Sequence, residues 1–198
     1  MFEIFHYSFM VRAFIAGGAI ALIAPLIGTF LVVKRFSLFA DSLSHVALAG
    51  VAIGLLLKIN PLITATIAAV VSSVAIERLR LSKKVYGESA LAIFLSGSLA
   101  IAIVLISLAH GFSVDIFNYL FGSIVTVKDS DIKIIASLAG IVTILVVAFY
   151  KELVFTSFDE EAAQVAGIKI KFINILLIVL AALTVAVAIP IVGVLLIA

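Results

Sequence analysis

The chain has no cysteine and no tryptophan, three prolines, three histidines and little charge. Without cysteine, disulfides, thiolate metal sites and thiol catalysis are excluded. Charged residues are 12% of the 198, against about 25% in soluble domains. A net charge of +2 is too small to suggest a nucleic-acid partner. There is no phosphate-binding glycine loop, no GxSxG elbow and no HExxH, so no motif for hydrolysing ATP or a peptide is present and no enzyme activity is expected. Nor does the N-terminus follow the signal-peptide pattern: no basic stretch precedes the first apolar segment and no cleavage site follows it.

What remains is apolar. Hydrophobic residues make up 65% of the chain, and mean hydropathy is +1.41. Lipid offers no partners for backbone groups, so an all-α, polytopic bundle forming one transmembrane domain over 1–198 is expected. Apolar segments fall at about 13–33, 36–57, 62–76, 90–109, 132–150 and 172–189, with the start of a further span at 191–198. Pro25 should kink the first. Gly17 and Gly18 read as packing residues. Lys58 to Pro61 reads as a tight turn and Glu77 to Glu88 as a basic loop. With that loop in the cytoplasm, nine of the 13 basic residues lie on the cytoplasmic side: Lys34, Arg35, Arg78, Arg80, Lys83, Lys84, Lys151, Lys169 and Lys171. The positive-inside bias then puts the N-terminus outside a multi-pass protein of the cell membrane.

The stretch Phe36 to Gly54, FSLFADSLSHVALAGVAIG, holds the chemistry. Val46 to Leu57 would cover only about 18 Å of a hydrocarbon core of about 30 Å, so a spanning helix must start near Phe36. Asp41 then lies about 8 Å, and His45 about 14 Å, from that end. Ionisable groups at such depth are costly and mark functional candidates. Ser37, Asp41, Ser44, His45 and Leu48 share one face, and an Asp oxygen and a His nitrogen there can bind one divalent cation. The plainer reading is that the two side chains pair with each other or with a neighbouring helix. Gly50 and Gly54 form a GxxxG seam for close helix approach.

Two loops carry further signals. Between His110 and Asp131, Val114, Ile116, Phe117, Leu120 and Phe121 suit a short interfacial helix, and Phe112 and Tyr119 an aromatic belt. Asp129 and Asp131 read as a solvated pair. Between Lys151 and Lys171, Ser157 and Glu160 have capping-box spacing, Asp159 and Glu161 add favourable negative charge, and Gly167 is a stop. A helix over Phe158–Ala166 is expected, with Phe158, Ala162 and Val165 on one face. So short a helix needs something to pack against, its own bundle or a partner.

Four stretches carry a resemblance: LVVKRFSLFADSLSHVALAGVAIG (Leu31–Gly54), VYGESALAIFLSGSLA (Val85–Ala100), FDEEAAQVAGIK (Phe158–Lys169) and IPIVGVLLIA (Ile189–Ala198). They make the chain similar to the permease subunits of ABC transporters for zinc, manganese or iron, relatives of the vitamin B12 and siderophore permeases. The Asp and His of D-S-L-S-H are the mark of the metal branch. The resemblance implies that Asp41 and His45 touch the transported metal, with Ser37 and Ser44 as neighbours. It implies that Phe158, Asp159, Glu160, Glu161, Ala162, Ala163, Val165 and Gly167 form a coupling helix docking on a separate ATPase subunit; the Leu-Pro that follows this element in other importers is not matched. An extracytoplasmic metal-binding protein, a second permease copy and the bilayer are the other implied partners, and the cargo is a divalent metal, zinc favoured, with no tightly bound cofactor. The family's chains run on past V-G-V-L-L, so a C-terminal truncation is expected. A channel or secondary carrier using Asp41 and His45 as a relay, and a vitamin B12 or siderophore permease, remain as alternatives.

Overall fold

The computed structural model describes residues 8–82, 86–108, 114–123 and 127–197; the side chains of Ser8, Ser37, Val114 and Asp115 lie outside that description. Ten helices are formed by the described residues: α1 Ser8–Val33, α2 Ser37–Leu57, α3 Pro61–Leu81, α4 Gly87–Leu108, α5 Val114–Phe121, α6 Asp129–Ala148, α7 Tyr150–Phe158, α8 Glu160–Val165, α9 Ile170–Val192 and α10 Val194–Ile197. Among them α1, α2, α3, α4, α6 and α9 are long and apolar enough to cross a membrane.

The helices are packed in a definite order. α2 lies against α3 and α4, α3 against α9, and α1 against α6 and α9. α9 is the centre: Leu177, Ile178, Leu180, Ala182, Ala186 and Ile189 are wholly buried. α1 and α4 instead expose Phe14, Leu22, Ile93, Ile101 and Val104, as lipid-facing helices do. The GxxxG seam is used as the spacing foretells. A Cβ on Gly50 would lie 2.7 Å from Ala65 Cα and 2.8 Å from Ala68 Cβ, and one on Gly54 2.8 Å from Pro61 Cα. Only hydrogen at these positions lets α2 and α3 touch backbone to backbone. Gly17 and Gly18 are different: a Cβ at either would meet nothing within 4 Å, so they pack nothing within this chain.

The turns follow local chemistry. Asn60 caps α3 by accepting from the Leu62 N–H at 2.9 Å, with Pro61 just inside the helix. The expected basic loop begins later than the composition suggests, because α3 continues through Arg78 and Arg80 to Leu81. Glu77, wholly buried, receives both arms of Arg80 at 2.8 and 2.9 Å, and that i,i+3 pair sustains the last turns. The short interfacial helix forms as α5, with Ile116 buried beside Ala52 and Ile106, and Phe117 and Phe121 exposed. Phe112, His6, His110, Lys83 and Lys84 lie outside the described residues.

The two ends of the bundle are distinct. At one, Lys34 meets Glu160, and the Arg80 guanidinium lies 4.3 Å from the Phe36 ring centre. At the other, Arg12 pairs with Asp129 at 3.2 Å and Asn60 donates to Asp131 at 2.9 Å. Asp131 is therefore no solvated surface acid. It is buried and also accepts from the Lys128 N–H at 3.2 Å, which ties the start of α6 to the α2–α3 turn. Asp129 is exposed and ion-paired.

Candidate functional site

α2 is gripped on three sides, and this fixes what its fourth side can do. Leu43, Ala47 and Val51 point into the core. Ser42 donates to the Leu91 carbonyl of α4 at 3.1 Å. The glycine seam holds α3. What stays open on the first half of α2 is a stripe of Leu38, Asp41 and His45, each partly or fully exposed and spaced at the three- and four-residue steps of a helix; Ile53 and Leu56 are exposed only beyond the buried residues 46–52. The helix starts at Ser37, so His45 lies about 12 Å along it.

On that stripe His45 Nε2 stands 3.3 Å from Asp41 Oδ1, with side chains 16% and 28% exposed. The distance is that of an ion pair, but the approach is off-line, and Asp41 Oδ1 has no hydrogen-bond donor. His45 Nδ1 is likewise buried without a partner. A buried polar atom left so costs on the order of 1–3 kcal/mol. A carboxylate oxygen and an imidazole nitrogen, Asp41 Oδ1 and His45 Nε2, standing 3.3 Å apart are a donor set a divalent cation accepts. No group of three or more His, Cys, Asp or Glu side chains suited to a metal occurs among the described residues.

The other expected neighbours separate. Ser44 is buried, and its hydroxyl donates to the Asp41 main-chain carbonyl at 2.8 Å. Leu48 is buried too. Ser37 begins the helix, but its side chain is outside the described residues.

The second candidate element, at the opposite end from Asp131, departs from expectation in its cap. α7 runs on to Phe158, so Ser157 sits inside a helix and cannot cap one. The chain breaks at Asp159, with φ −149° and ψ 100°, and Asp159 caps α8 by accepting from the Ala162 N–H at 2.9 Å. The helix is thus Glu160–Val165 rather than Phe158–Ala166. Gly167 ends it with φ +84°, a conformation that favours glycine. Glu160 does not reach back to close a capping box. Its Oε1 takes the Lys34 ammonium at 2.8 Å and the Asn174 amide at 3.2 Å. Burial would raise its pKa, but the hydrogen bonds from Lys34 and Asn174 and the charges of Lys34 and Arg80 outweigh that and hold the carboxyl below its ordinary 4.5.

Of the two supports considered for this short helix, its own bundle is the one seen. Ala163 is wholly buried against the bundle. Phe158 and Val165 face out, 76% and 90% exposed, and Glu161 is exposed beside them. Large apolar side chains held outward from the end of α7 and from α8 suit a partner surface.

Sequence reasoning missed Lys34 and Asn174. Asn174, buried, also accepts from the Lys34 ammonium. The available signal was a lone amide in a run of 27 residues without a charge, Phe172 to Ala198.

Comparison with known proteins bears on the family and the fold. A family model described as "ABC 3 transport family" matches residues 6–198. The manganese transport system membrane protein MntC of Listeria monocytogenes is 32% identical over 192 residues, covering 97% of this chain and 68% of that protein. The high-affinity zinc uptake system membrane protein ZnuB of Haemophilus influenzae is 33% identical over 197 residues, covering 100% and 74%. Among solved structures, PsaBC from Streptococcus pneumoniae in complex with Fab superposes with a TM-score of 0.83 at 32% identity, over 96% of this chain and 69% of that one.

Proposed function

The chain belongs to the ABC 3 transport family, and on that footing we propose that it is the membrane-spanning permease subunit of an ATP-driven importer of divalent metal ions. The observation that carries the proposal is the pair of buried, unpartnered atoms, Asp41 Oδ1 and His45 Nδ1, on the open stripe of α2. The metal is cargo, and the Asp41 carboxylate and His45 imidazole are its contacts in the path. Relatives named for manganese and for zinc match similarly well, and imidazole with carboxylate accepts both. Zinc remains the favoured first cargo to test.

One chain offers two donors, whereas zinc takes about four ligands. A second copy across a two-fold axis supplies another Asp41 and His45. The open stripe of α2 is the surface such a copy would face. The site is shared and weakly held, as a path requires, since the ion must leave as well as enter. With no nucleotide loop in this chain, ATP hydrolysis belongs to a separate cytoplasmic subunit. That subunit docks on the α7–α8 elbow through Phe158 and Val165 and rocks the two copies between outward and inward openings. The basic residues near Lys34, Arg80 and Lys169 favour the cytoplasm for this end, with the N-terminus outside. An external metal-binding protein delivers cargo at the end bearing α5.

The test is metal uptake into proteoliposomes holding the permease with its ATPase, for zinc and for manganese in competition. Wild type should take up metal only with ATP. Asp41→Asn and His45→Ala should abolish uptake with the dimer intact. Uptake without ATP would mean a channel or carrier, and uptake indifferent to both substitutions would make the pair structural.

A further inference from the structure

α8 and α2 do not adjoin in sequence, yet one ionic triangle joins them. Lys34 lies between α1 and α2, three residues before Ser37. Its side chain is only 5% exposed, and its ammonium meets Glu160 of α8 at 2.8 Å. The same ammonium bonds the Asn174 carbonyl oxygen on α9, and the Asn174 amide closes the ring onto Glu160 at 3.2 Å. The segment carrying Lys34 is itself hydrogen-bonded to the end of α1. Phe36 N–H donates to the Leu31 carbonyl at 2.9 Å, and Arg35 takes a left-handed φ of +58°. The Phe36 ring stacks on Phe39 of α2 at 5.9 Å and carries the Arg80 guanidinium on its other neighbour, α3. The turn is therefore fastened to α2, α3, α8 and α9 together.

Little else ties α8 to that turn. Ala163 is its one buried residue. A cavity of about 250 Å³, lined by Arg35, Phe36, Ser157 and Phe158 among others, separates the α7–α8 elbow from the turn. Displacement of the elbow would close or open that space without moving α2, unless something rigid bridges it. Among the described residues, the triangle supplies the hydrogen bonds from this turn to α8. An ammonium buried this deeply does not give up its carboxylate cheaply, so the bridge holds as α8 moves.

We propose that Lys34, Glu160 and Asn174 are positioning residues forming a strut that converts movement of α8 into movement of the α1–α2 turn, and so of Asp41 and His45. This deepens the reading of α8 as the ATPase-docking element and rests on it.

The experiment uses the full permease–ATPase complex in proteoliposomes and reads metal taken up per ATP hydrolysed, beside ATP hydrolysis and thermal stability. Lys34→Gln and Asn174→Leu should lower uptake per ATP about tenfold, within the range seen for residues linking two sites without touching either ligand. Hydrolysis and complex assembly should be retained, and Lys34→Arg should restore coupling. Lys34→Gln is the variant of choice, because it leaves the half-exposed Glu160 free to be solvated, whereas Glu160→Gln strands a buried ammonium. Unchanged uptake per ATP in Lys34→Gln overturns the strut while leaving the importer reading intact. A parallel fall of uptake, hydrolysis and stability also overturns it and makes the triangle a fold element. Wild type without ATP-driven uptake removes the importer reading, and the strut with it.

Discussion

Substituting Gly50 by alanine adds one methyl where α2 meets α3. The methyl carbon would stand 2.7 Å from Ala65 Cα and 2.8 Å from both Ala68 Cβ and the Thr64 carbonyl oxygen. Ordinary carbon–carbon contact is about 3.5–4.0 Å, so the helices must part locally by about 1 Å. Two of the three obstacles are backbone atoms and the third is a methyl already at the helix surface; none can rotate away. Overpacking of this kind costs about 1–3 kcal/mol. For a chain this size that is roughly 2–12 °C in midpoint temperature. Gly17→Ala is the matched control: it adds the same methyl in a helix, with nothing within 4 Å, and should be neutral or stabilising by up to about 1 kcal/mol. Both are measured by thermal unfolding of the purified protein in one detergent, followed by size-exclusion fluorescence. Because α2 carries Asp41 and His45 on its free side, Gly50→Ala should also weaken metal uptake. Equal midpoints for the two variants would refute the claim that the Gly50 contact sets how closely α2 and α3 approach.

Phe158→Asp should uncouple ATP hydrolysis from metal uptake in the reconstituted complex with little change in midpoint temperature, since Phe158 is largely exposed; unchanged coupling would mean that the α7–α8 elbow is not the docking element. Because Lys34 and Asn174 hold the Glu160 pKa below 4.5, the stability the carboxylate adds is fully present above 4.5 and lost as pH falls through the depressed value. Wild type should therefore unfold above Glu160→Gln from neutral pH down to about 4.5, and the gap should close only in stronger acid; a gap closing at pH 6 would contradict the ionised triangle.

Much of this protein was legible before its structure. Six apolar runs could be counted, because each must satisfy its own backbone in lipid. The four-residue step from Asp41 to His45 placed both on one face, and Gly50-x-x-x-Gly54 named the seam later found against Ala65 and Pro61. The misreadings were local competitions. Ser157 and Glu160 have capping-box spacing, but α7 runs through Ser157, Asp159 takes the cap, and Glu160 is drawn off by a lysine 126 residues away in sequence. Asp131 looked solvated because its partner, Asn60, is 71 residues distant.

The sequence by itself determined the class of fold, the number of long apolar helices and which residue types share a helix face, since periodicity and the cost of bare backbone in lipid act along the chain. The tertiary structure alone decided which face of α2 stays open, and so that Asp41 and His45 stand on it with donors unused while Ser44 turns inward. It alone joined Lys34, Glu160 and Asn174. Those outcomes depend on which helices are neighbours, and a buried polar group takes whatever partner packing brings within reach.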